Sequence, residues 1–91
     1  MTPYHQGMDD QQIQTEIERL EERQRELRHR EGELAEQPEA VEPLREELET
    51  IRVELDRLWD LHRQRRALRE SGGNPDDASE RDAGTVEGYL S

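Results

Sequence analysis

Cysteine, phenylalanine and long hydrophobic runs are all missing from this sequence, and aromatic residues are few. Without cysteine, the chain has neither a disulfide nor a thiolate metal site, which is typical of a reducing compartment. Its aromatic residues are Tyr4, Trp59 and Tyr89, so the large side chains that fill most globular interiors are scarce. No apolar run approaches the roughly 20 residues that cross a bilayer, and no signal-peptide core lies near Met1. We therefore expect a cytoplasmic protein with no membrane segment and no compact multilayer fold.

The overall composition is typical of a disordered chain, but the middle of the sequence has a helical pattern. Of the 91 residues, 29% are hydrophobic and 41% are charged, with a net charge of -11, which is a common signature of disorder. In residues 11–70, however, Glu, Arg, Leu and Gln dominate, and the apolar residues recur at helical spacing. We expect an all-α fold, preceded by a flexible lead-in over residues 1–8 in which Met8 is an alternative start to Met1.

The first predicted helix spans about residues 9–35. It starts where Asp9 and Asp10 can accept amide hydrogens of a first helical turn. Its apolar residues alternate at spacings of four and three once Gln24 and Glu31 are included, which is the heptad pattern of a coiled-coil seam. The seam residues of this helix are Ile13, Ile17, Leu20, Leu27 and Leu34.

A loop over residues 36–42 is predicted by Pro38 and Pro43, because the residue before a proline is disfavoured in helical geometry. Pro43 suits the first position of a second helix, which we expect to span about residues 43–71 and to end before Gly72. The seam residues of this helix are Leu44, Leu48, Ile51, Leu55 and Leu58.

Residues 72–91 form a predicted acidic tail. Most of the tail resembles a loop, since Asn74 and Pro75 favour a turn. Segment 85–90 differs, because its apolar residues have the spacing of one face of a short helix. We interpret it as a docking segment, with contacts made by Val86, Tyr89 and Leu90.

Two long helices joined by a short loop most simply fold back side by side. We therefore predict an antiparallel, coiled-coil-like two-helix hairpin over residues 9–71. With the loop midpoint near Glu39, the register places Leu58 beside Leu20 and Arg69 beside Asp10. Ordering about 60 residues costs more free energy than about ten partly buried seam residues return. Because a hairpin of this size usually needs further burial, we expect a homodimer.

Four arginines near the end of the second helix form the strongest concentration of positive charge. Residues 62–70 carry a net charge of +3, and the arginines are Arg63, Arg65, Arg66 and Arg69. They suit phosphate, nucleic acid or an acidic protein surface, but the favoured interpretation is structural, since the register turns them toward Asp9, Asp10 and Glu16. Nucleic acid binding through these arginines is the least favoured alternative function, because 24 acidic residues would repel a phosphate backbone and no aromatic residue stands among the arginines.

Trp59, at the edge of the second seam, is the largest apolar side chain, and a hairpin should leave one side of it uncovered. Tryptophan is enriched at binding interfaces, so Trp59 is a candidate contact for a second copy, for another protein or for segment 85–90. His62 lies on the seam within reach of Glu16, where plain burial is favoured over a role in sensing pH.

No pattern for catalysis, a metal or a cofactor stands out. Glu26 and His29 have the Glu-x-x-His spacing of di-metal bundles, but both lie off the seam and the pair has no second copy. We find no Ser, His and Asp arrangement and no glycine-rich phosphate loop. We expect no enzymatic activity and no cofactor.

Several motifs of the sequence resemble those of a family of small actinobacterial proteins known only as a domain of unknown function. They are MDDQQI from Met8, VELDRLWDLHRQRRALRE over residues 53–70, the following GGNPDDASERD, and the closing VEGYL. The resemblance implies an actinobacterial, cytoplasmic protein. It supplies no activity and no functional residues.

The sequence as a whole favours a non-enzymatic protein-interaction or adaptor module. Its expected partners are a second copy and an unidentified protein, bound through Trp59, the arginines and the tail segment. The alternative is a regulator that inserts an acidic hairpin tip, formed by Glu36, Glu39 and Glu42, into a basic channel such as that of RNA polymerase. That alternative depends on analogy of fold. No membrane or small-molecule substrate is expected among the partners.

Overall fold

The computed structural model of the chain describes residues 8–78, which form two α-helices and a short 3-10 helix. Helix α1 spans Asp10–Glu33, helix α2 spans Pro38–Glu70, and the 3-10 helix spans Pro75–Asp77. The two α-helices pack against each other, and residues 8–78 contain no strand. The predicted all-α helical hairpin is therefore confirmed. Residues 1–7 of the lead-in and the predicted segment with Val86, Tyr89 and Leu90 lie outside the described residues.

Helix α1 begins at a capping box, close to where the paired aspartates predicted its start. The Gln12 amide donates to Asp9 Oδ1 at 2.8 Å, and the Asp9 amide donates to Gln12 Oε1 at 2.9 Å. Each side chain thus satisfies an amide that has no partner within the helix. The first turn also carries Asp10, whose negative charge is favourable at this end of the helix dipole.

The connection between the helices is shorter than the predicted loop of residues 36–42. α1 ends at Glu33 and α2 starts at Pro38, so residues 34–37 alone join them. Within this turn, the Gln37 amide donates to the Leu34 carbonyl at 2.8 Å. The chain therefore reverses within four residues.

The predicted start of the second helix at Pro43 was wrong, because Pro43 lies inside α2. Pro38 occupies the first helical position, where a missing N–H costs nothing because that group has no partner within the helix. Pro43 then deprives α2 of one hydrogen bond, to the carbonyl of Glu39 in the first turn. Glu39 is exposed, so water can reach this region. The additional turns bring Val41 into the interior with 4% exposure.

The core lies along the contact between the helices, and its buried hydrophobic residues within 8–78 are all aliphatic. Ile13, Ile17, Leu27 and Leu58 are fully buried. Of the other predicted seam residues, Leu34 and Leu48 are partly buried against the core, and the buried ones are Leu20, Leu44, Ile51 and Leu55. Each fully buried aliphatic side chain contributes roughly 1.5 to 3 kcal/mol. Burial of this stripe therefore drives the pairing of α1 with α2.

Ion pairs fix the antiparallel register on both sides of the core. The predicted pairing of Arg69 with Asp10 is confirmed, since Arg69 Nη2 donates to Asp10 Oδ2. Two further pairs lie nearer the turn: Arg23 Nε donates to Glu47 Oε2 at 2.8 Å, and Arg45 Nε donates to Glu31 Oε2 at 2.8 Å. Each ion pair forms only when its two residues lie at the same level along the two helices. The pairs therefore favour this register over a shifted one.

The chain reverses again after α2, at a glycine turn. Gly72 has a φ of 83°, a conformation that glycine adopts without steric cost, and the Gly73 amide donates to the Leu68 carbonyl at 2.7 Å. Asn74 then caps the 3-10 helix by accepting from the Asp76 amide at 3.0 Å. As a result, the residues after Gly73 return to the side of α2.

Candidate interaction surfaces

An ionic cluster closes the open end of the hairpin, where α1 begins and α2 ends. Arg65 Nε donates to Asp10 Oδ1 at 2.7 Å, and Arg65 Nη1 donates to both the Pro75 carbonyl and Asp76 Oδ1 at 3.2 Å. Arg69 donates to the second oxygen of Asp10. One guanidinium therefore joins α1, α2 and the 3-10 helix, and the planar fork of arginine suits this role.

Burial and pKa shifts indicate that this cluster is structural. Arg65 is buried, with 9% exposure, so removal of its carboxylate partners would leave a charge in a poorly hydrated place. The hydrogen bond from Arg65 lowers the pKa of Asp10 below its usual range, assisted by the charge of Arg69. The same hydrogen bond raises the pKa of Arg65. Both groups therefore stay ionised and paired near neutral pH.

The four predicted arginines do not form one continuous basic surface. Arg65 and Arg69 turn toward Asp10, as the structural interpretation expected. Arg66 Nε donates to Glu70 at 3.1 Å, and Arg63 lies 3.7 Å from Asp60. Carboxylates thus accompany all four guanidinium groups, and the local positive potential is weakened accordingly.

Trp59 lies on the side of α2 between the core and solvent. It is 38% exposed and is the large apolar side chain that residues 8–78 leave uncovered. His62, one turn later, is partly buried, and its ring meets the indole edge to face with centroids 5.9 Å apart. We call this surface the Trp59 strip; its members are Leu48, Leu55, Trp59 and His62. Such aromatic geometry holds the indole in a defined orientation.

A second face of α2 is buried although it points away from α1. Asp60 follows Leu58 by two residues and so lies about 200° around the helix from it, yet Asp60 is only 3% exposed. Val53 and Gln64 on the same side are partly buried, and Leu61, which also belongs to the core, borders this face with 4% exposure. Gln64 Nε2 donates to Asp60 Oδ2 at 2.9 Å. We name this the Asp60 face; its members are Val53, Arg57, Asp60, Leu61 and Gln64.

Sequence reasoning missed the Asp60 face, because an aspartate and an arginine on a charged helix ordinarily face water. One signal was present: Val53 and Leu61 lie off the heptad seam and widen the apolar surface of α2. A wide apolar arc predicts burial on more than one side of a helix.

The hairpin tip has the acidic character that the sequence predicted. Glu36, Glu39 and Glu42 are exposed around the turn. Two arginines lie close behind them, since Arg45 pairs with Glu31 and Arg28 lines the same shallow groove. The three tip carboxylates therefore adjoin a surface that carries both positive and negative charges.

The part of the chain that the structure describes has neither a cluster of metal ligands nor a membrane-spanning helix. Residues 8–78 contain no group of three or more His, Asp or Glu side chains placed to hold a metal ion. Neither α1 nor α2 has an apolar stretch of the length required to cross a bilayer.

Comparison with known proteins gives a family and relatives of unassigned activity. Residues 9–91 match the family described as "Protein of unknown function (DUF2630)". The uncharacterized protein Rv0898c of Mycobacterium tuberculosis (strain ATCC 25618 / H37Rv) is 56% identical over 45 residues, which cover 50% of this chain and 52% of the relative. The uncharacterized protein Mb0922c of Mycobacterium bovis has the same identity and coverage. The chain thus spans about half the length of these curated relatives. No solved structure matches it.

Proposed function

The chain belongs to the DUF2630 family, and from that premise we propose that it is a non-enzymatic protein-interaction module that pairs with a second copy of itself through the Trp59 strip. Membership of this family confirms the resemblance that the motifs around Trp59 and at the end of the chain predicted. Because the family has no assigned activity, the proposal depends on the surface of the hairpin.

The exposure of Trp59 is the observation that carries the proposal. An indole that is 38% exposed on an otherwise charged hairpin leaves apolar surface in water, and covering it is favourable at roughly 25 cal/mol per Å². The contact with His62 holds the ring in place, so little side-chain entropy remains to be lost on binding. A rigid aromatic side chain of this kind is typical of an interface centre.

The charges around Trp59 favour a second copy of the chain as the partner that covers this residue. The surrounding positions on α2 carry both signs, with Arg52 bonded to Asp56 at 3.0 Å and Arg63 exposed one turn beyond Trp59. In a two-fold symmetric dimer the same surface patch of each copy faces the other. A patch with charges of a single sign would therefore repel its copy, whereas a patch with both signs can place opposite charges next to each other. The narrow aliphatic core also favours association, since small hairpins gain stability from burial between chains.

Sedimentation equilibrium of the full chain tests the proposal. We expect a dimer whose dissociation constant rises about tenfold or more in Trp59→Ala, because a central aromatic contact is lost. As a second readout, the emission of the single tryptophan should shift to the red on dilution of the native chain. Glu46→Ala, an exposed change on the opposite side of α2, is the matched control and should dimerise normally. A native chain that stays monomeric at every concentration would overturn the proposal.

The acidic tip supports a second candidate function, insertion into a basic channel such as that of RNA polymerase. Its support is the exposure of Glu36, Glu39 and Glu42 at the narrow end of the hairpin. Reversing these three charges to lysine should then abolish binding to purified RNA polymerase without changing dimerisation. Nucleic acid binding is less favoured, because Asp10, Asp60, Asp76 and Glu70 accompany the arginines.

A further inference from the structure

The Asp60 face requires a covering layer that α1 does not provide. α1 packs on the arc of α2 that contains Leu44, Ile51 and Leu58. Around the helix axis, Asp60 lies roughly 160 to 180° from these residues and Gln64 roughly 120 to 160°. The α2 side chains that contact Asp60 one turn away, Arg63 and Gln64, are themselves exposed or partly buried, so they shield Asp60 only in part. The exposure of only 3% for Asp60 therefore points to further chain lying across this face.

The course of the chain after α2 indicates where that layer comes from. Gly72 turns the backbone, and Arg65 then holds the Pro75 carbonyl and Asp76 against α2. Ala78, the last described residue, is partly buried and packs against the core. Ala78 therefore lies against the hairpin, within reach of the end of α2 that Arg65 ties to the 3-10 helix.

We propose that segment 85–90 at the end of this chain occupies the Asp60 face, with Val86, Tyr89 and Leu90 packing over Leu61 and Val53. The thirteen residues after Ala78 reach about 20 Å as a helix and about 45 Å when extended. The distance along α2 from Arg65 to Val53 is about 18 Å. The segment is therefore long enough in either form.

The chemistry of the two surfaces is complementary. The apolar residues of the segment lie three and four positions apart, which places them on one side of a helical turn. The Asp60 face offers apolar surface at Leu61 and polar groups at Asp60 and Gln64, which suits a tyrosine with an apolar ring and a hydroxyl group. The family match also runs through residue 91, so this segment is part of the same unit as the hairpin.

This inference places the segment on a different face from the expected docking site at Trp59 and is independent of the proposed dimer. Trp59 and Asp60 are adjacent in sequence and so lie about 100° apart around α2. One copy can therefore cover the Asp60 face with its own segment while the Trp59 strip meets a second copy. Loss of either contact leaves the other measurable.

Thiol labelling of the full chain tests the inference, because the native sequence has no cysteine. Asp60→Cys introduces a single thiol on the buried face, and its reaction with a small maleimide is followed with the native segment and with Val86, Tyr89 and Leu90 all changed to serine. We expect labelling to become about tenfold faster in the serine background, since reactivity follows local exposure. Thr50→Cys, at an exposed position of α2 outside both the Trp59 strip and the Asp60 face, is the control and should label at the same rate in both.

Two results would overturn the inference. One is an equal labelling rate of the thiol at position 60 in the two backgrounds. The other is protection that disappears on dilution of the native-segment chain, which would make a second copy the covering layer. Should Asp60→Cys lose its helical circular dichroism, Gln64→Cys replaces it on the same face, with the same expected ratio and the same two adverse results.

Discussion

Asp10 and Arg65 are 55 residues apart in the chain, yet Arg65 Nε donates a 2.7 Å hydrogen bond to Asp10 Oδ1. This bond ties the first turn of α1 to the last part of α2 where no loop joins the helices. Through its Nη1, the same arginine also holds the 3-10 helix. The open end of the hairpin is therefore held together by ion pairs between Arg65 and the carboxylates of Asp10 and Asp76.

Asp10→Asn should destabilise the hairpin by about 1 kcal/mol near neutral pH, because it removes the negative partner of Arg65 and Arg69. The cost stays modest, since the Asp10 side chain is 44% exposed and its charge is screened by water. Urea denaturation followed by circular dichroism gives the difference. Glu18→Gln, an exposed change on α1, should cost almost nothing, and an equal loss in both variants would contradict a special role for Asp10.

The stabilising effect of Asp10 should disappear in acid. Its pKa is lowered in the folded chain by the hydrogen bond from Arg65, so its contribution is complete above the unfolded pKa of about 4 and is lost as the pH falls through the lower, folded value. The free energies of unfolding of the native chain and of Asp10→Asn should therefore converge between pH 5 and pH 2, as judged by urea midpoints. If the difference in the free energy of unfolding between the two proteins grew on acidification, the ionised carboxylate would not be stabilising the fold.

Leu58→Ala should cost about 3 kcal/mol, because this side chain is fully buried at the centre of the core and its loss leaves a cavity. Leu48→Ala removes the same atoms from a partly buried position and should cost about 1 kcal/mol. Thermal unfolding at one fixed protein concentration compares the two. Similar losses would show that the core is not centred on the contact made by Leu58.

Two glycine substitutions should have opposite signs. Gly72 has a φ of 83°, so Gly72→Ala should destabilise the chain by about 1 kcal/mol. Gly32 lies in the last turn of α1, where an added Cβ meets no atom within 4 Å, so Gly32→Ala should stabilise it by about 0.5 kcal/mol. Differential scanning calorimetry of both variants measures the shifts in midpoint. A stabilising Gly72→Ala would contradict the turn described here.

The prolines show how far local rules carry a prediction of this fold. Pro38 and Pro43 correctly indicated a chain reversal. The rule that proline begins or breaks a helix, however, assigned the start of α2 to Pro43 instead of Pro38. Pro38 starts the helix and Pro43 lies inside it. The burial of Val41 at 4% exposure and of Leu44 outweighs one missing hydrogen bond near the helix start. Packing of this kind acts between segments and leaves no mark in the local sequence.

For the charged residues, too, one contact was predictable from sequence spacing and another depended on tertiary packing. The register aligned Arg69 with Asp10 from spacing alone, because the heptad repeat fixes which residues lie level across two antiparallel helices. It did not predict that Arg65 would be buried and would hold Pro75 and Asp76. That contact requires the turn at Gly72, whose direction depends on three-dimensional packing.

The sequence by itself determined the two helices, the narrow aliphatic stripe of each and the antiparallel pairing, since these follow from residue propensity and a repeat of seven. Only the tertiary structure decided that Asp60 is almost fully buried, although Trp59, the residue before it, is partly exposed as the sequence predicted. Adjacent positions on a helix point about 100° apart. Their exposure therefore depends on which other parts of the chain cover each side, and that is a property of the folded molecule.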